Sequence, residues 1–257
     1  VIAPSPSREQ SDLKNVFTPV IACGPGFHKG LLTSGATRRN GIITNTDIAP
    51  TILQFFKIKD EDKVMIGQPA AAIVVPGNSN LTLVQRIVDG AAATNRLRLP
   101  LVRGYVIWQI IVIVLTVLGA VLVKPNWFAA AKPAVLSIAV VPCVFLFLGK
   151  LNLTADWMYI IIALAGTFIL TLLLALIFGD RYLAAFAVVT FITVLALNID
   201  LVTGGTLIQS SVLGYDPMAG ARYYGIGNEY MGIIVGGAII IGAILFQRVQ
   251  RNWVLLA

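Results

Sequence analysis

Trp157-Met-Tyr-Ile-Ile-Ile-Ala-Leu-Ala-Gly-Thr-Phe-Ile-Leu-Thr-Leu-Leu-Leu-Ala-Leu-Ile-Phe178 decides the fold. The stretch contains no charged residue. At about 1.5 Å per residue, a helix of this length covers the roughly 30 Å hydrocarbon core of a bilayer. Trp157 stands at its border, where an amphipathic ring suits the membrane–water interface. The same pattern recurs to either side. Residues 104–123, 133–149, 182–203 and 231–246 are further apolar runs divided by short polar joints, and another run opens at Asn252. Trp127, Tyr182 and Trp253 also lie at run ends.

The whole chain agrees with this reading. Of its 257 residues 57% are hydrophobic and 12% charged, and the mean hydropathy is +0.85. A soluble domain carries about 25% charge. The net charge of +7 comes with Lys and Arg that lie near span ends, where they set topology and meet anionic head groups. This favours a lipid bilayer as partner and excludes nucleic acid. Cys23 and Cys143 lie in unrelated contexts, so neither a disulfide nor a metal spacing is expected. The expected fold class is mainly α: a polytopic helical membrane domain of five or more transmembrane helices.

Orientation follows from the short joints. With the N-terminal segment outside, Lys124, Lys132, Arg181, Arg248 and Arg251 fall inside, against Lys150 and Arg222 outside, and counting Arg96, Arg98 and Arg103 before the first span evens the two sides. The expected location is the plasma membrane, with the N-terminal segment and the 204–230 loop extracytoplasmic.

That loop contains Gly214-Tyr-Asp-Pro-Met-Ala-Gly-Ala-Arg-Tyr-Tyr-Gly-Ile-Gly-Asn-Glu-Tyr-Met-Gly232, a dense mixture of charge, aromatic rings and glycine. Asp200 leaves the fourth span and Glu229 enters the fifth, with Asp216 and Arg222 between them. Asn228 is placed to cap the fifth span. A glycine turn feeding a helix N-terminus offers N–H groups to an anion, and an arginine adds a fork for phosphate or carboxylate. Tyr223, Tyr224 and Tyr230 are placed to stack on a sugar or to lie among head groups. The candidate binding residues for an anion or lipid head group are therefore Asp200, Asp216, Arg222, Tyr223, Tyr224, Asn228 and Glu229. The alternative is an interfacial joint in which Arg222 pairs with Glu229 or Asp216 and the tyrosines form a belt. Gly232 and Gly236 in the fifth span, with Gly237 and Gly242 nearby, let helices approach closely, within the bundle or between protomers.

Residues 1–103 hold most of the charge. Val16-Phe-Thr-Pro-Val-Ile-Ala-Cys23 predicts a buried strand, ended by Gly24-Pro-Gly26. Asp47 predicts a helix N-cap, with Pro50 in the first turn, and Ile48, Ile52, Phe55 and Phe56 share one face. Residues 77–103 read as an amphipathic connector. It either runs onto the membrane surface or forms an ordinary surface helix.

Thr18-Pro-Val-Ile-Ala-Cys-Gly-Pro-Gly26, Gly30-Leu-Leu-Thr-Ser34, Thr37-Arg-Arg-Asn-Gly41 and above all Asp47-Ile-Ala-Pro-Thr-Ile-Leu53 resemble the C-terminal end of the alkaline-phosphatase superfamily. The resemblance covers about residues 1–70. It implies that residues 1–76 are the last part of an α/β phosphatase-like domain, ahead of the 77–103 connector and a membrane domain over 104–257. Members of that superfamily bind a pair of metal ions through Asp and His and attack with Ser or Thr. Residues 1–15 hold no His, and His28, the single histidine, follows the expected strand. Three protein ligands are the usual minimum for a catalytic metal. No catalytic or metal residue and no cofactor is therefore expected in this segment. The chain reads as a fragment whose missing N- and C-terminal parts are among its partners, and a zinc or manganese ion would belong to the full-length parent. The functional expectation is a multi-pass cell-envelope protein acting on, or binding, an anionic or lipid-linked phosphate. Whether it is an enzyme is left open; the alternative is a transporter or flippase-like bundle with a degenerate, non-catalytic lid.

Overall fold

The computed structural model describes residues 8–9, 16–59, 64–75, 80–122, 126–151, 153, 155–218, 220 and 222–254. The chain divides into two compact units. Unit 1 is Val1–Arg96 with Asp216–Gly225, and unit 2 is Leu97–Tyr215 with Ile226–Ala257.

In unit 1, β1 (Leu31–Thr33) pairs antiparallel with β2 (Ala71–Ile73), in the register Leu31↔Ile73. Between them a 3₁₀ turn, Asn45–Asp47, leads into α1 (Ile48–Phe55). The strand expected over 16–23 does not form, and β1 and β2 are the only strands among the described residues. A strand needs a ladder partner, and Pro19 removes one donor from this run; Val16 and Ile21 are exposed instead.

Pro50 does fall in the first turn of α1 and is buried. Asp47, however, does not cap α1 through its side chain. Its carboxylate reaches sideways and is fully buried. It accepts the Ser34 hydroxyl at 2.7 Å, the Thr44 N–H at 2.8 Å and the Gln68 N–H at 2.9 Å. Thr51 Oγ1 takes the Ala70 N–H at 2.8 Å. Asp47 and Thr51 together thus fix the segment leading into β2. Ile52, Phe55 and Phe56, expected on a covered face, are exposed.

α2 runs unbroken from Asn80 to Leu122, through Pro100. The expected boundary at 103/104 is absent, so connector and first span are one helix. Arg96, Arg98 and Arg103 are good helix formers, and Gly104 costs only about 1 kcal/mol in a helix. The expected connector residues 77–79 lie outside the described residues. The first turns of α2 belong to unit 1, where Ala91 and Ala92 pack with Met218 and Phe17.

Unit 2 holds the membrane part of α2 together with α3 (Asn126–Leu148), α4 (Asp156–Phe178), α5 (Tyr182–Val202), the short α6 (Thr206–Ser210) and α7 (Asn228–Val254). Five helices are long and apolar enough to cross a membrane. α3 opens well before the expected residue 133. Pro133 and Pro142 lie inside it, as neighbouring groups in a membrane bundle permit. α7 continues past the expected end at Phe246 to Val254; the rest of the run expected from Asn252, residues 255–257, lies outside the described residues.

α3 packs against α4 and α5, and α5 against α7. Their shared core includes Leu146, Leu197, Ile208 and Tyr230, all fully buried. Gly237 of α7 meets Thr190 and Val194 of α5, whereas Gly232 and Gly236 face open space. Within the bundle the close helix approach therefore runs through Gly237.

Candidate functional site

The candidate residues lie around the segment between α5 and α7. Residues 211–215 are all buried, although they have no regular structure to satisfy their backbone. Buried irregular chain in a membrane bundle must find polar partners within the protein: the Ser211 N–H donates to the Ile208 carbonyl, the Gly214 N–H to the Ser211 carbonyl and the Leu213 N–H to the Ser211 hydroxyl at 3.4 Å, and side chains of unit 2 hold the segments around them.

Asp200, 3% exposed at the end of α5, accepts the Leu207 and Ile208 N–H groups at 2.9 Å each. The Thr206 hydroxyl adds a longer contact at 3.4 Å. Asp200 is thus the anion at the N-terminus of α6. The Ser211 hydroxyl lies 2.9 Å from the Phe145 carbonyl and 2.7 Å from the Tyr230 hydroxyl. Tyr230 is fully buried, so it is a core group and not the stacking ring expected from the sequence.

Arg98 of α2 completes the corner. It donates to the Gly214 carbonyl at 2.8 Å and to Glu229 at 2.7 Å. This ion pair is half-buried. Backbone approach is equally close. A Cβ on Gly227 would stand 2.6 Å from the Gly214 carbonyl oxygen, and one on Gly214 would overlap the Ile208 carbonyl. Both positions therefore need glycine for space. Asn228 is the first residue of α7 and is exposed, while Gly227 supplies the carbonyl that accepts the Met231 N–H.

The seven candidates are divided between the two units. Asp200, Asn228 and Glu229 belong to unit 2; Asp216, Arg222, Tyr223 and Tyr224 belong to unit 1. In unit 1, Asp216 accepts the Met218 N–H at 2.9 Å, and Arg222 is exposed. The Arg38 guanidinium lies over the Tyr224 ring, 4.4 Å from its centroid, a cation–π contact. Arg38 itself sits at φ +52°. Burial and the Asp47 charge both push the Tyr223 hydroxyl above its ordinary pKa. Burial alone would raise Asp47, but its hydrogen bonds from Ser34 and from the Thr44 and Gln68 N–H groups outweigh that and hold it below the usual carboxylate value.

Sequence reasoning missed Arg98 and Ser211; it weighed Arg38, with Arg39, as a phosphate contact against a solvated loop pair. Arg98 had one signal, an arginine just before the apolar run of the first span, but that position also suits topology. Among the described residues no group of three His, Cys, Asp or Glu stands together. No protein-family model, curated protein or solved structure matches the chain.

Proposed function

We propose that this multi-pass helical membrane protein binds an anionic, lipid-linked phosphate at the N-terminal end of α7. The observation that carries the reading is the Arg98–Glu229–Gly214 brace. It fixes a half-exposed guanidinium that has five N–H donors, of which these bonds use two. Beside it are exposed Asn228 and the unsatisfied N–H groups that begin a long helix. Glu229 holds Arg98 in place, and Asp200 holds the supporting α6 segment. Arg222, Tyr223, Tyr224 and Asp216 belong to unit 1, with Arg38, and serve there as a head-group contact.

In this reading unit 1 is the end of a phosphatase-like domain in a cell-envelope protein, with that unit and the loop outside the cytoplasm. The support is the run Asp47-Ile-Ala-Pro-Thr-Ile-Leu53, whose helix and buried carboxylate are formed. The described residues do not suit the zinc or manganese ion of that superfamily. Asp47 already spends its oxygens on Ser34, Thr44 and Gln68, so no chemical step is assigned to a metal here.

Decyl phosphate, titrated into the detergent-solubilised protein, tests the binding site. Asn228→Asp puts a carboxylate at an exposed helix N-terminus, where it stabilises the helix by about 0.5 kcal/mol and repels a phosphate. The expected result is affinity lowered by about fivefold or more, from about 1 kcal/mol of repulsion, with an unchanged or higher melting temperature. Equal affinity for parent and variant rejects the site.

A further inference from the structure

A pocket of about 200 Å³ opens in unit 2 where α3 meets the connection between α4 and α5. It lies at the other end of α5 from Asp200. The 21 residues of that helix span about 30 Å, so this pocket is a different place from the anion site at α7.

Its lining changes from charged to apolar along all three helices. In α3, Lys132 lies nearer the helix start and Leu136 one turn deeper. In α4, Leu174 comes before the joint and Asp180 stands at it. In α5, Tyr182 opens the helix and Ala185 follows within it. Leu136, Leu174 and Ala185 are buried and share one apolar cluster. The rim is therefore charged and the floor is hydrocarbon. A free inorganic anion meets only the rim, and a plain hydrocarbon only the floor; an amphiphile meets both.

Charge at the rim fixes the sign of the amphiphile's head. The Lys132 side chain is 24% exposed, whereas that of its partner Asp180 is fully exposed. The Lys132 ammonium donates to Asp180 at 3.0 Å and lies 5.4 Å from the centroid of the Tyr182 ring, a cation–π distance. An ammonium has three N–H donors, and Asp180 takes one of them. An ion pair with one partner in full solvent is weak, so Asp180 can turn to water and yield its place. Arg181 beside it is exposed and forms no ion pair among the described residues. Two cations against one carboxylate leave the rim positive. A zwitterionic head group leaves that excess standing, whereas a phosphodiester of a neutral alcohol balances it.

We propose that this pocket binds one anionic phospholipid, with its phosphodiester on Lys132 and the start of its chains against Leu136 and Leu174. The site does not depend on the reading of the α7 end.

The test titrates dihexanoyl phosphatidylglycerol, below its micelle concentration, into the detergent-solubilised full chain and follows binding by calorimetry. Every sample carries Asn228→Asp, so that phosphate binding at α7 does not supply the signal. The expected result is saturable binding, about fivefold or more tighter than that of dihexanoyl phosphatidylcholine. Glycerol 3-phosphate, which has the charge without the chains, should bind far more weakly. Lys132→Met keeps the aliphatic stem and should weaken phosphatidylglycerol about fivefold, while Lys132→Arg should keep the binding. Asp180→Asn removes the competing carboxylate and should tighten binding severalfold, a gain that a merely structural ion pair does not give. Lys150→Met removes the same charge just past the other end of α3 and should change nothing. Equal affinity for the two phospholipids, or for parent and Lys132→Met, overturns the proposal. Glycerol 3-phosphate binding as tightly as the lipid overturns it in favour of a free-anion site. An equal loss in Lys150→Met overturns it in favour of attraction by net charge alone.

Discussion

At the scale of single residues, buried carboxylates organise both units, and each does so by satisfying backbone N–H groups. Asp200 holds α6, and Asp47 holds the turn before α1 and the approach to β2. For Asp47 the consequence is a dependence on pH. Its folded pKa lies below its unfolded value of about 3.9. Its contribution is therefore complete above that value and is lost as pH falls through the folded one. Asp47→Asn should remove this dependence. Hydrogen-exchange protection of the Thr44 and Gln68 amides, compared between parent and variant from pH 6 down to about pH 3, should fall with acid only in the parent; parallel curves would show that the carboxylate does not anchor them. Both aspartates stand out in the sequence as acids at element ends. Their partners were not legible, because Gln68 and Ile208 carry no local sign that their N–H groups need an acceptor. Arg98 shows the same limit more sharply, since its partner Glu229 is 131 residues away.

At the scale of elements, proline gives a clear relation between pattern and packing. Pro142 has no N–H, so the Ile138 carbonyl one turn earlier in α3 loses its intrahelical partner. The Tyr105 hydroxyl of α2 supplies the missing donor at 2.8 Å. A double-mutant cycle isolates this contact. Tyr105→Phe should lower stability by about 1 kcal/mol in the parent. In a Pro142→Ala background the restored N–H meets the carbonyl, and the cost should fall toward zero. Additive effects in thermal melts would contradict the account.

Elements were legible where periodicity was long. The interiors of α4 and α5 follow from apolar length alone. The break expected between connector and first span is missing because the change from amphipathic to apolar face in α2 occurs within continuous helix-forming sequence. The strand expected over 16–23 reads correctly as apolar, but apolar character alone does not provide a ladder partner. α6 was unreadable: it is a five-residue helix whose N-terminus depends on a carboxylate from α5.

At the scale of the molecule, hydropathy and the spacing of polar joints account for unit 2, a bundle of helices that change direction at each joint. The 200–230 region divides between the two units, a division that no local pattern announces. The central claim is that this chain crosses a membrane repeatedly, with the α3–α4 and α5–α7 connections on one face and the α4–α5 connection on the other. In a background with Cys23→Ser and Cys143→Ser, single cysteines at Lys150, Asn228 and Asp180 can be labelled from one side of sealed vesicles with a membrane-impermeant maleimide. The account predicts that Lys150→Cys and Asn228→Cys react together from one side, and that Asp180→Cys reacts only after the vesicles are opened or from the opposite side. If Asp180→Cys labels from the same side as Asn228→Cys, α5 does not cross the bilayer and the account is contradicted.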